Sequence, residues 1–352
     1  MRTREPAQGR AERALVAQRL SAQLLAGSAA SDPLAVAERL LAIQGQDPRG
    51  ARLAIRARSA GVSAAAIDRA LTEERSLLIT WLNRGTLHLI RSEDYPLLHT
   101  LTTPQLLTGS ARRLAQEGVQ PGLANRGVAE IVRGISADGP LTRHQLRERL
   151  QSAGIPTGGQ AFIHLMYRAS LRGLIVRGPM VGREHAYVLT ADWLPNHRPP
   201  PRDLALAELA RRYLRGHGPA SDRDLARWAA LPLRDVRAGL SAIAGELQER
   251  ADGLVDLIRR EPAAALPPPR LLGAFEPVLL GWRSRAAIVG EAEPRIVGGG
   301  IFRAFALVDG QAGALWRIGG EKPAIEPFGR LPRGTRAALE RDYAAVLEFL
   351  RG

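Results

Sequence analysis

Two stretches of the chain, 79 residues apart, align with each other without a gap. They read GPLTRHQLRERL, at residues 139–150, and GPASDRDLARWA, at residues 218–229, and an amphipathic helical pattern precedes each of them. Each copy also has a capping pair after its Gly-Pro turn: Thr142 with Gln145, and Ser221 with Asp224. Such pairs bind the first free N–H groups of a helix. The repeat therefore predicts two copies of a unit in which a short turn joins two helices.

Both copies continue with a third helix and a pair of strands. In the first copy, TGGQAFIHLMYRASLRG predicts a helix at about residues 160–172, and LIVRGPMVGREHAYVLT predicts two short strands. The second copy continues with LPLRDVRAGLSAI as its helix and ELQERADGLVDLIR as a weaker strand pair. Three helices followed by a hairpin describe a winged helix, whose third helix commonly enters the major groove of DNA.

The N-terminal part of the chain shows a looser version of the same order. Asp32-Pro33 and Asp47-Pro48 each predict an N-cap followed by proline at the first helical position. Helices are predicted at about residues 13–25, 33–43, 51–59 and 64–71. The strands LLITWLN and GTLHLIR follow, with a turn at residues 83–85, and further helices fill about residues 92–120. This pattern predicts another winged-helix unit.

The C-terminal part has a different character. PAAALPPPR, at residues 262–270, predicts a proline-rich linker, and a closing helix is predicted at about residues 335–350. Between them, AFEPVLLGWRSRAAIVG, IFRAFALVDG and GALWRIGG read as strands, with a hairpin turn at Asp309-Gly310. The predicted fold class is therefore mainly α with β: three tandem winged-helix domains followed by a small C-terminal β-barrel. The predicted domains are residues 1–120, 121–200, 201–261 and 262–352.

The positive charge of the chain is almost entirely arginine. Lys and Arg number 49 against 35 Asp and Glu, the net charge is +14, and Lys322 is the only lysine. Arginine stays charged, and one guanidinium can bind two phosphate oxygens at once, which suits double-stranded DNA as a partner. A general arginine bias with scattered solvated charges would give the same composition. A Schiff-base mechanism would have to use Lys322 or the α-amino group, which disfavours lyase chemistry.

Several other classes of protein are disfavoured by what the sequence lacks. It contains no cysteine, and its seven histidines show no HxxxH-type spacing, so neither a disulfide framework nor a metal site is expected. No apolar run approaches twenty residues, and the N-terminus lacks the apolar core of a signal peptide. We therefore expect a cytoplasmic, nucleoid-associated protein with no membrane contact and no cofactor.

The stretch LAIQGQDPRG, at residues 41–50, places two glutamines where an amphipathic helix runs out. A neutral amide can orient water or solvate a developing charge, but it cannot take up a proton at neutral pH. If the helix breaks at Gln44, Gln44 and Gln46 project on the same side of an extended chain and could hold a water between them. Alternatively, both amides cap the preceding helix and bind neighbouring backbone.

Four stretches together resemble the tandem winged-helix DNA-binding superfamily. They are LAIQGQDPRGARLAIRARS, TWLNRGTLHLI, LLGAFEPVLLGWRSR and GGGIFRAFALVDGQAGALWR, and the resemblance covers roughly residues 10–350. Characterised members, the AlkZ-like enzymes, are bacterial DNA glycosylases that excise alkylated purines and unhook interstrand crosslinks. The resemblance implies a monofunctional DNA glycosylase that leaves an abasic site. It also implies catalytic roles for Gln44 and Gln46, which match the Gln-x-Gln signature, although Gly45 replaces its usual larger middle residue.

The chemistry of such a reaction fits two neutral amides. A purine alkylated at N7 is cationic and leaves readily, so the enzyme has to stabilise an oxocarbenium-like sugar and place the attacking water. Asp47 is a candidate general base, or it is simply an N-cap. The resemblance places His88 near the catalytic loop, where it could contact a phosphate or the lesion, or it is a core histidine. Aromatic residues form only 5% of the chain, which favours an open site over a base-stacking cage.

Residues that flank these motifs are candidate DNA ligands, although each charge could equally be a solvated one. They are Arg49, Arg52, Arg56, Arg84, Thr86, Arg183, Arg283 and Arg285. A monomer is expected, because three different winged helices in one chain would already form an asymmetric clamp, whereas a regulator is usually a symmetric dimer. The alternatives to an enzyme are a non-catalytic winged-helix DNA-binding protein, either a transcriptional regulator or a nucleoid-associated protein, and a protein-interaction scaffold.

Overall fold

The structure is a computed structural model that describes residues 7–182, 184–194 and 198–352. Its helices are α1 Ala7–Ala22, α2 Pro33–Leu40, α3 Pro48–Arg56, α4 Ala64–Thr72, α5 Tyr95–Thr102, α6 Pro104–Gln116, α7 Pro121–Asp138, α8 Arg143–Ser152, α9 Ala161–Leu171, α10 Thr190–Trp193, α11 Arg202–His217, α12 Asp222–Ala229, α13 Leu233–Ala242, α14 Ala286–Val289, α15 Glu293–Ile296 and α16 Thr335–Arg351. Its strands are β1 Ile43–Gln44, β2 Leu77–Leu82, β3 Thr86–Arg91, β4 Ile175–Val181, β5 Glu184–Leu189, β6 Leu247–Glu249, β7 Val255–Leu257, β8 Arg270–Leu272, β9 Val297–Gly298, β10 Ile301–Phe302, β11 Phe305–Val308, β12 Gln311–Arg317 and β13 Ala324–Pro327.

The described chain packs as two compact units. The first unit joins the described residues up to Ile67 to Leu206–Gly352, and the second unit is Asp68–Ala205. Helices account for most of the regular structure. This agrees with the predicted fold class, which is mainly α with β. The division into four sequential domains stays a prediction. Within the described residues, no helix is both long and apolar enough to span a membrane.

In the second unit, the first copy of the repeat has the predicted order of elements. α7, α8 and α9 are followed by the hairpin of β4 and β5, and α7 packs against both other helices and against β5. The predicted cap is confirmed, because Thr142 accepts a hydrogen bond from the backbone of Gln145, whose side chain accepts from the Thr142 N–H at 2.9 Å. Leu146, Leu150 and Leu165 are fully buried.

The hairpins of the second unit join into one antiparallel sheet. Within this unit the strands of the sheet lie in the order β3-β2-β4-β5, and β2 is buried along its whole length. The turn between β2 and β3 occurs as predicted, with Asn83 and Gly85 in the left-handed region at φ +46° and +79°. The apolar run LLITWL therefore lies between neighbouring strands at the centre of the sheet.

The second copy of the repeat, which from Leu206 onward belongs to the first unit, has the same order, α11, α12, α13 and the short hairpin of β6 and β7. Its predicted cap is also confirmed. Ser221 accepts from the backbone N–H of Asp224 at 3.1 Å, and the Asp224 carboxylate accepts from the Ser221 N–H at 2.9 Å. The two copies therefore share both their local sequence signals and their succession of elements.

The C-terminal strands form an open sheet, which corrects the predicted β-barrel. The order is β13-β12-β11-β8, and in the described residues no strand joins the edge strands β13 and β8. The hairpin turn at Asp309-Gly310 is confirmed, with φ angles of +51° and +83°. The stretch AFEPVLLGWRSRAAIVG, predicted as strand, instead folds into short helical turns that include α14. Pro277 has no N–H to donate to a sheet, which is one reason that this stretch cannot close a barrel.

A buried ion pair joins three segments of the first unit. The side chains of Arg58 and Glu276 are both fully buried, and Arg58 donates to the Glu276 carboxylate. Arg58 also donates to the backbone and side-chain oxygens of Gln23 at 2.8 and 2.9 Å, and to the Ala54 carbonyl at 2.9 Å. The guanidinium thus binds the end of α1, the last turns of α3 and the segment after β8.

We expect Glu276→Gln to destabilise the protein strongly, because it leaves the Arg58 charge buried without its counter-charge. The expected loss is about 3–5 kcal/mol in the free energy of unfolding, measured by urea denaturation. Replacing both partners, as in Arg58→Met/Glu276→Leu, removes the buried charge and should recover most of that loss. A Glu276→Gln protein within about 1 kcal/mol of wild type would contradict this assignment.

Candidate active site

The chain leaves helix α2 just before the two glutamines. α2 ends at Leu40, and Leu41 adopts φ +62°, a conformation that is uncommon for a residue with a side chain. The Leu41 N–H donates to the Ala37 carbonyl at 2.9 Å, so backbone groups close the helix. The chain then runs extended through β1 to Gln44. The predicted break is confirmed, although it lies earlier than predicted.

The two glutamine side chains meet directly. Gln44 is buried, with 5% of its surface exposed, whereas Gln46 is exposed and the intervening Gly45 is buried. The Nε2 of Gln44 donates to the Oε1 of Gln46 at 2.6 Å. The prediction that both side chains project on the same side is therefore confirmed. A water held by the two amides stays a prediction, and here the amides are in direct hydrogen-bonding contact.

Asp47 begins helix α3 directly after the glutamines. Its carboxylate accepts a hydrogen bond from the Gly50 N–H, and Pro48 occupies the first helical position. The N-cap interpretation of Asp47 is thereby confirmed. A role as general base stays a prediction.

The first turn of α3 lies directly against the segment after β8. A Cβ atom on Gly50 would lie 2.2 Å from the Ala274 carbonyl oxygen, and one on Gly273 would lie 3.0 Å from the Gly50 Cα. Only glycine allows backbones to approach so closely. This contact fixes the start of α3, and the Arg58 ion pair fixes its end, so the loop that carries the glutamines precedes a rigidly held helix.

A pocket of about 660 Å³ opens beside Asp47 in the first unit. Its lining comes from Asp47 and residues 274–275, 301–304, 315–317 and 324–326. The rings of Phe275 and Phe302 lie 5.7 Å apart between centroids, and Phe275 adopts φ +55°. Low aromatic content gave no indication of this pocket. Three of the four stretches that carry the family resemblance contribute to the lining of the pocket. The resemblance of these stretches is therefore the sequence signal that could have located the pocket.

His88 lies in the core of the second unit. Only 2% of its surface is exposed, and its Nδ1 lies 2.9 Å from the Thr86 carbonyl oxygen. Burial, aided by the positive charge of Arg84, lowers the pKa of His88 to about 3, so the ring is neutral at pH 7. Leu87 and Leu89 of the same strand are also buried. These contacts favour a core role, and a contact with DNA stays a prediction.

The candidate DNA ligands on α3 are held in different ways. Arg49 is exposed at the start of the helix. Arg52 donates to the Pro48 carbonyl at 2.9 Å. Arg56 is paired with Asp342 of α16 at 2.7 Å and is mostly buried, which favours a structural role for it.

The remaining candidates are spread over both units. Arg84 and Thr86 are partly buried at the β2–β3 turn, and Arg183 lies outside the described residues. Arg283 is exposed, and its backbone N–H donates to Asp224 at 2.9 Å. Arg285 pairs with Glu293 at 2.6 Å and lies over the Phe302 ring. Its place is therefore set by contacts inside the first unit.

Comparison with known proteins gives consistent matches over nearly the whole chain. A family model described as "DNA glycosylase AlkZ-like" matches residues 37–349. An interstrand DNA cross-link repair glycosylase from Streptomyces sahachiroi is 28% identical over 365 residues, which cover 95% of each chain. The solved structure of Streptomyces sahachiroi DNA glycosylase AlkZ matches with a TM-score of 0.77 at 26% identity, covering 96% of both chains.

The buried, neutral His88 predicts a pH-dependent stability. Its pKa in the folded state lies below the ordinary value of 6.5, so the unfolded chain takes up a proton that the folded chain excludes. Stability therefore falls as pH falls from 6.5 toward 3, and this residue should account for about 2 kcal/mol of the loss between pH 8 and pH 5.

Urea unfolding of wild type and His88→Gln at the two pH values measures this contribution. The variant should lose about 2 kcal/mol less than wild type on acidification. His144, whose side chain is 75% exposed, provides the control, and His144→Gln should behave as wild type does. Equal losses in wild type and His88→Gln would show that His88 is not held neutral by burial.

Proposed function

The chain belongs to the AlkZ-like family of DNA glycosylases, and we propose that Gln44 and Gln46 form the reacting centre at which it releases N7-alkylated purines from duplex DNA. Such an enzyme hydrolyses an N-glycosyl bond and leaves an abasic site. The name of the Streptomyces sahachiroi relative, a cross-link repair glycosylase, supports interstrand crosslinks as further substrates. The proposal includes neither a cofactor nor a metal.

The single observation that carries this assignment is the hydrogen bond from buried Gln44 to exposed Gln46. The bond orients the Gln46 amide, whose oxygen retains a second lone pair and whose NH₂ group can donate. An oriented amide of this kind can accept a hydrogen bond from the attacking water and place its negative dipole end toward the oxocarbenium-like sugar. Because the dipole is fixed before the reaction, little reorganisation is needed.

The reaction itself requires no acid. The bond between N9 of the purine and C1′ breaks, and its electron pair neutralises the positive charge of the alkylated base. The water oxygen bonds to C1′ and gives up a proton to solvent or to a nearby carboxylate. Asp47 is the nearest carboxylate along the chain, and we assign it a supporting role, secondary to its N-cap contact.

DNA binding is the second part of the proposal. We assign winged-helix character to the three-helix and hairpin segments that contain α7–α9 and α11–α13, and to the N-terminal segment that contains β2 and β3. Their order of elements supports this assignment. We also propose that the enzyme works as a monomer on nucleoid DNA, with Arg49 as a phosphate ligand. A non-catalytic regulator would use the same elements but would have no use for the oriented amide pair.

We expect Gln44→Ala/Gln46→Ala to abolish base release without abolishing DNA binding. The assay measures release of 7-methylguanine from a labelled duplex under single-turnover conditions, with enzyme saturating. The rate constant should fall at least about 100-fold, as when an oriented electrostatic group is removed from other enzymes.

The matched control is Gln311→Ala, which removes an exposed glutamine from the beginning of β12. It should leave the rate within about twofold of wild type, because it lies outside the proposed centre. If wild type binds the duplex but releases no base from methylated or crosslinked DNA, the alternative of a non-catalytic DNA-binding protein gains support.

Arg49→Gln should weaken duplex binding and make it less sensitive to salt. One phosphate contact fewer lowers the slope of log affinity against log salt concentration by about 1. Fluorescence anisotropy with an undamaged labelled duplex at several salt concentrations gives that slope. Arg211, already paired with Glu208 and Glu246, supplies the control, and Arg211→Gln should keep the wild-type slope. An unchanged slope for Arg49→Gln would exclude Arg49 as a phosphate ligand.

A further inference from the structure

We propose that the pocket beside Asp47 binds a planar, apolar substituent carried on N7 of the damaged purine. This inference rests on the proposed function and adds a substrate class to it. A methyl group would occupy a small part of about 660 Å³, a volume in the range of pockets that hold whole small molecules. The pocket is therefore larger than simple methylation damage requires.

The position of the pocket connects it to the reacting centre. Asp47 lines the pocket, and it follows Gln46 directly in the chain. Ala274 and Phe275 also line the pocket, and the Ala274 backbone is held against Gly50 at the start of the same helix. The pocket and the glutamine loop are thus built on the same rigid helix start. A purine whose sugar lies at Gln46 could place a long N7 substituent in the pocket.

The chemistry of the lining selects an apolar ring. Phe275 and Phe302 form a tilted pair, and both keep part of their surface exposed. Trp316 also lines the pocket and is nearly buried, and its Nε1 donates to the Leu272 carbonyl at 2.8 Å, which fixes the ring. Partly exposed aromatic faces of this kind stack on flat groups. Leu315 and Ile325 extend the apolar lining.

The hairpin of β9 and β10 contributes Ile301 and Phe302 to the pocket. Gly299 and Gly300 form the turn between β9 and β10 at φ +58° and +79°, and a Cβ on either would meet nothing within 4 Å. The hairpin presents Ile301 at the pocket with 58% of its surface exposed. A substituent in the pocket would cover this side chain.

The test compares two duplexes that each carry one damaged guanine. One contains 7-methylguanine, and the other contains 7-(pyren-1-ylmethyl)guanine, whose ring is planar, apolar and fluorescent. The measured quantity is the ratio of kcat/KM for release of the pyrenylmethyl base to that for release of the methyl base. Ile301→Ser and Phe302→Ala should each lower this ratio at least tenfold, because each removes apolar surface that the pyrenylmethyl group would contact and the methyl group would not.

The matched control is Ile258→Ser. Ile258 is 52% exposed in the same unit but does not line the pocket, so its substitution should leave the ratio unchanged. A second readout needs no turnover. When Gln44→Ala/Gln46→Ala binds the duplex with 7-(pyren-1-ylmethyl)guanine, the pyrene fluorescence should change to that of an apolar environment. Adding Ile301→Ser to this variant should reverse the fluorescence change.

The outcomes separate this inference from the proposed function. Release of 7-methylguanine by wild type, with a ratio that Ile301→Ser and Phe302→Ala leave unchanged, would overturn the pocket assignment alone. Equal losses on both duplexes would show that these side chains do not act through the substituent, which also overturns it. Release of neither base by wild type would overturn the proposed function, and the pocket assignment would fail with it.

Discussion

The buried ion pair of Arg58 and Glu276 is the interaction on which the arrangement of the first unit depends. Two charges taken out of water are tolerated only where each finds its counter-charge and further hydrogen bonds, and here the guanidinium binds Glu276, Gln23 and a carbonyl of α3. The pair therefore permits one mutual placement of α1, α3 and the segment after β8. The close contact of Gly50 with Ala274 gives the same restriction at the other end of α3. These two contacts together fix the position of the loop that carries Gln44 and Gln46.

Much of the local structure could be predicted because its signals are local. The capping pairs at Thr142 and Ser221, and the Asp-Pro starts of α2 and α3, each satisfy helix N–H groups within a few residues of themselves. The predicted barrel failed for the opposite reason. Whether strands close depends on pairing between distant segments, and an apolar run such as AFEPVLLG reads equally well as a strand or as buried helical turns.

In the site, too, the features set by local sequence could be predicted and those set by tertiary packing could not. An extended chain places residues two apart on one side, so the alignment of Gln44 with Gln46 followed from the helix break. The direct bond between them, the burial of His88 and the pairing of Arg56 with Asp342 depend on tertiary packing that no local pattern encodes. The pocket is the clearest case. Its lining comes from widely separated parts of the chain, so a low average aromatic content concealed a local cluster of rings.

The two parts of the proposed site divide the work of substrate selection. Alkylation at N7 makes the purine a good leaving group whatever the alkyl group is, since the positive charge resides on the ring. A pair of neutral amides that act on the sugar and the water would therefore treat all N7-alkylpurines alike. Discrimination among them has to come from contacts with the substituent itself. A hydrophobic contact can supply a factor of about 10–200 in kcat/KM, and only a pocket next to the reacting centre can make that contact. The aromatic pocket beside Asp47 meets this requirement, which links the fold of the C-terminal strands to the choice of lesion.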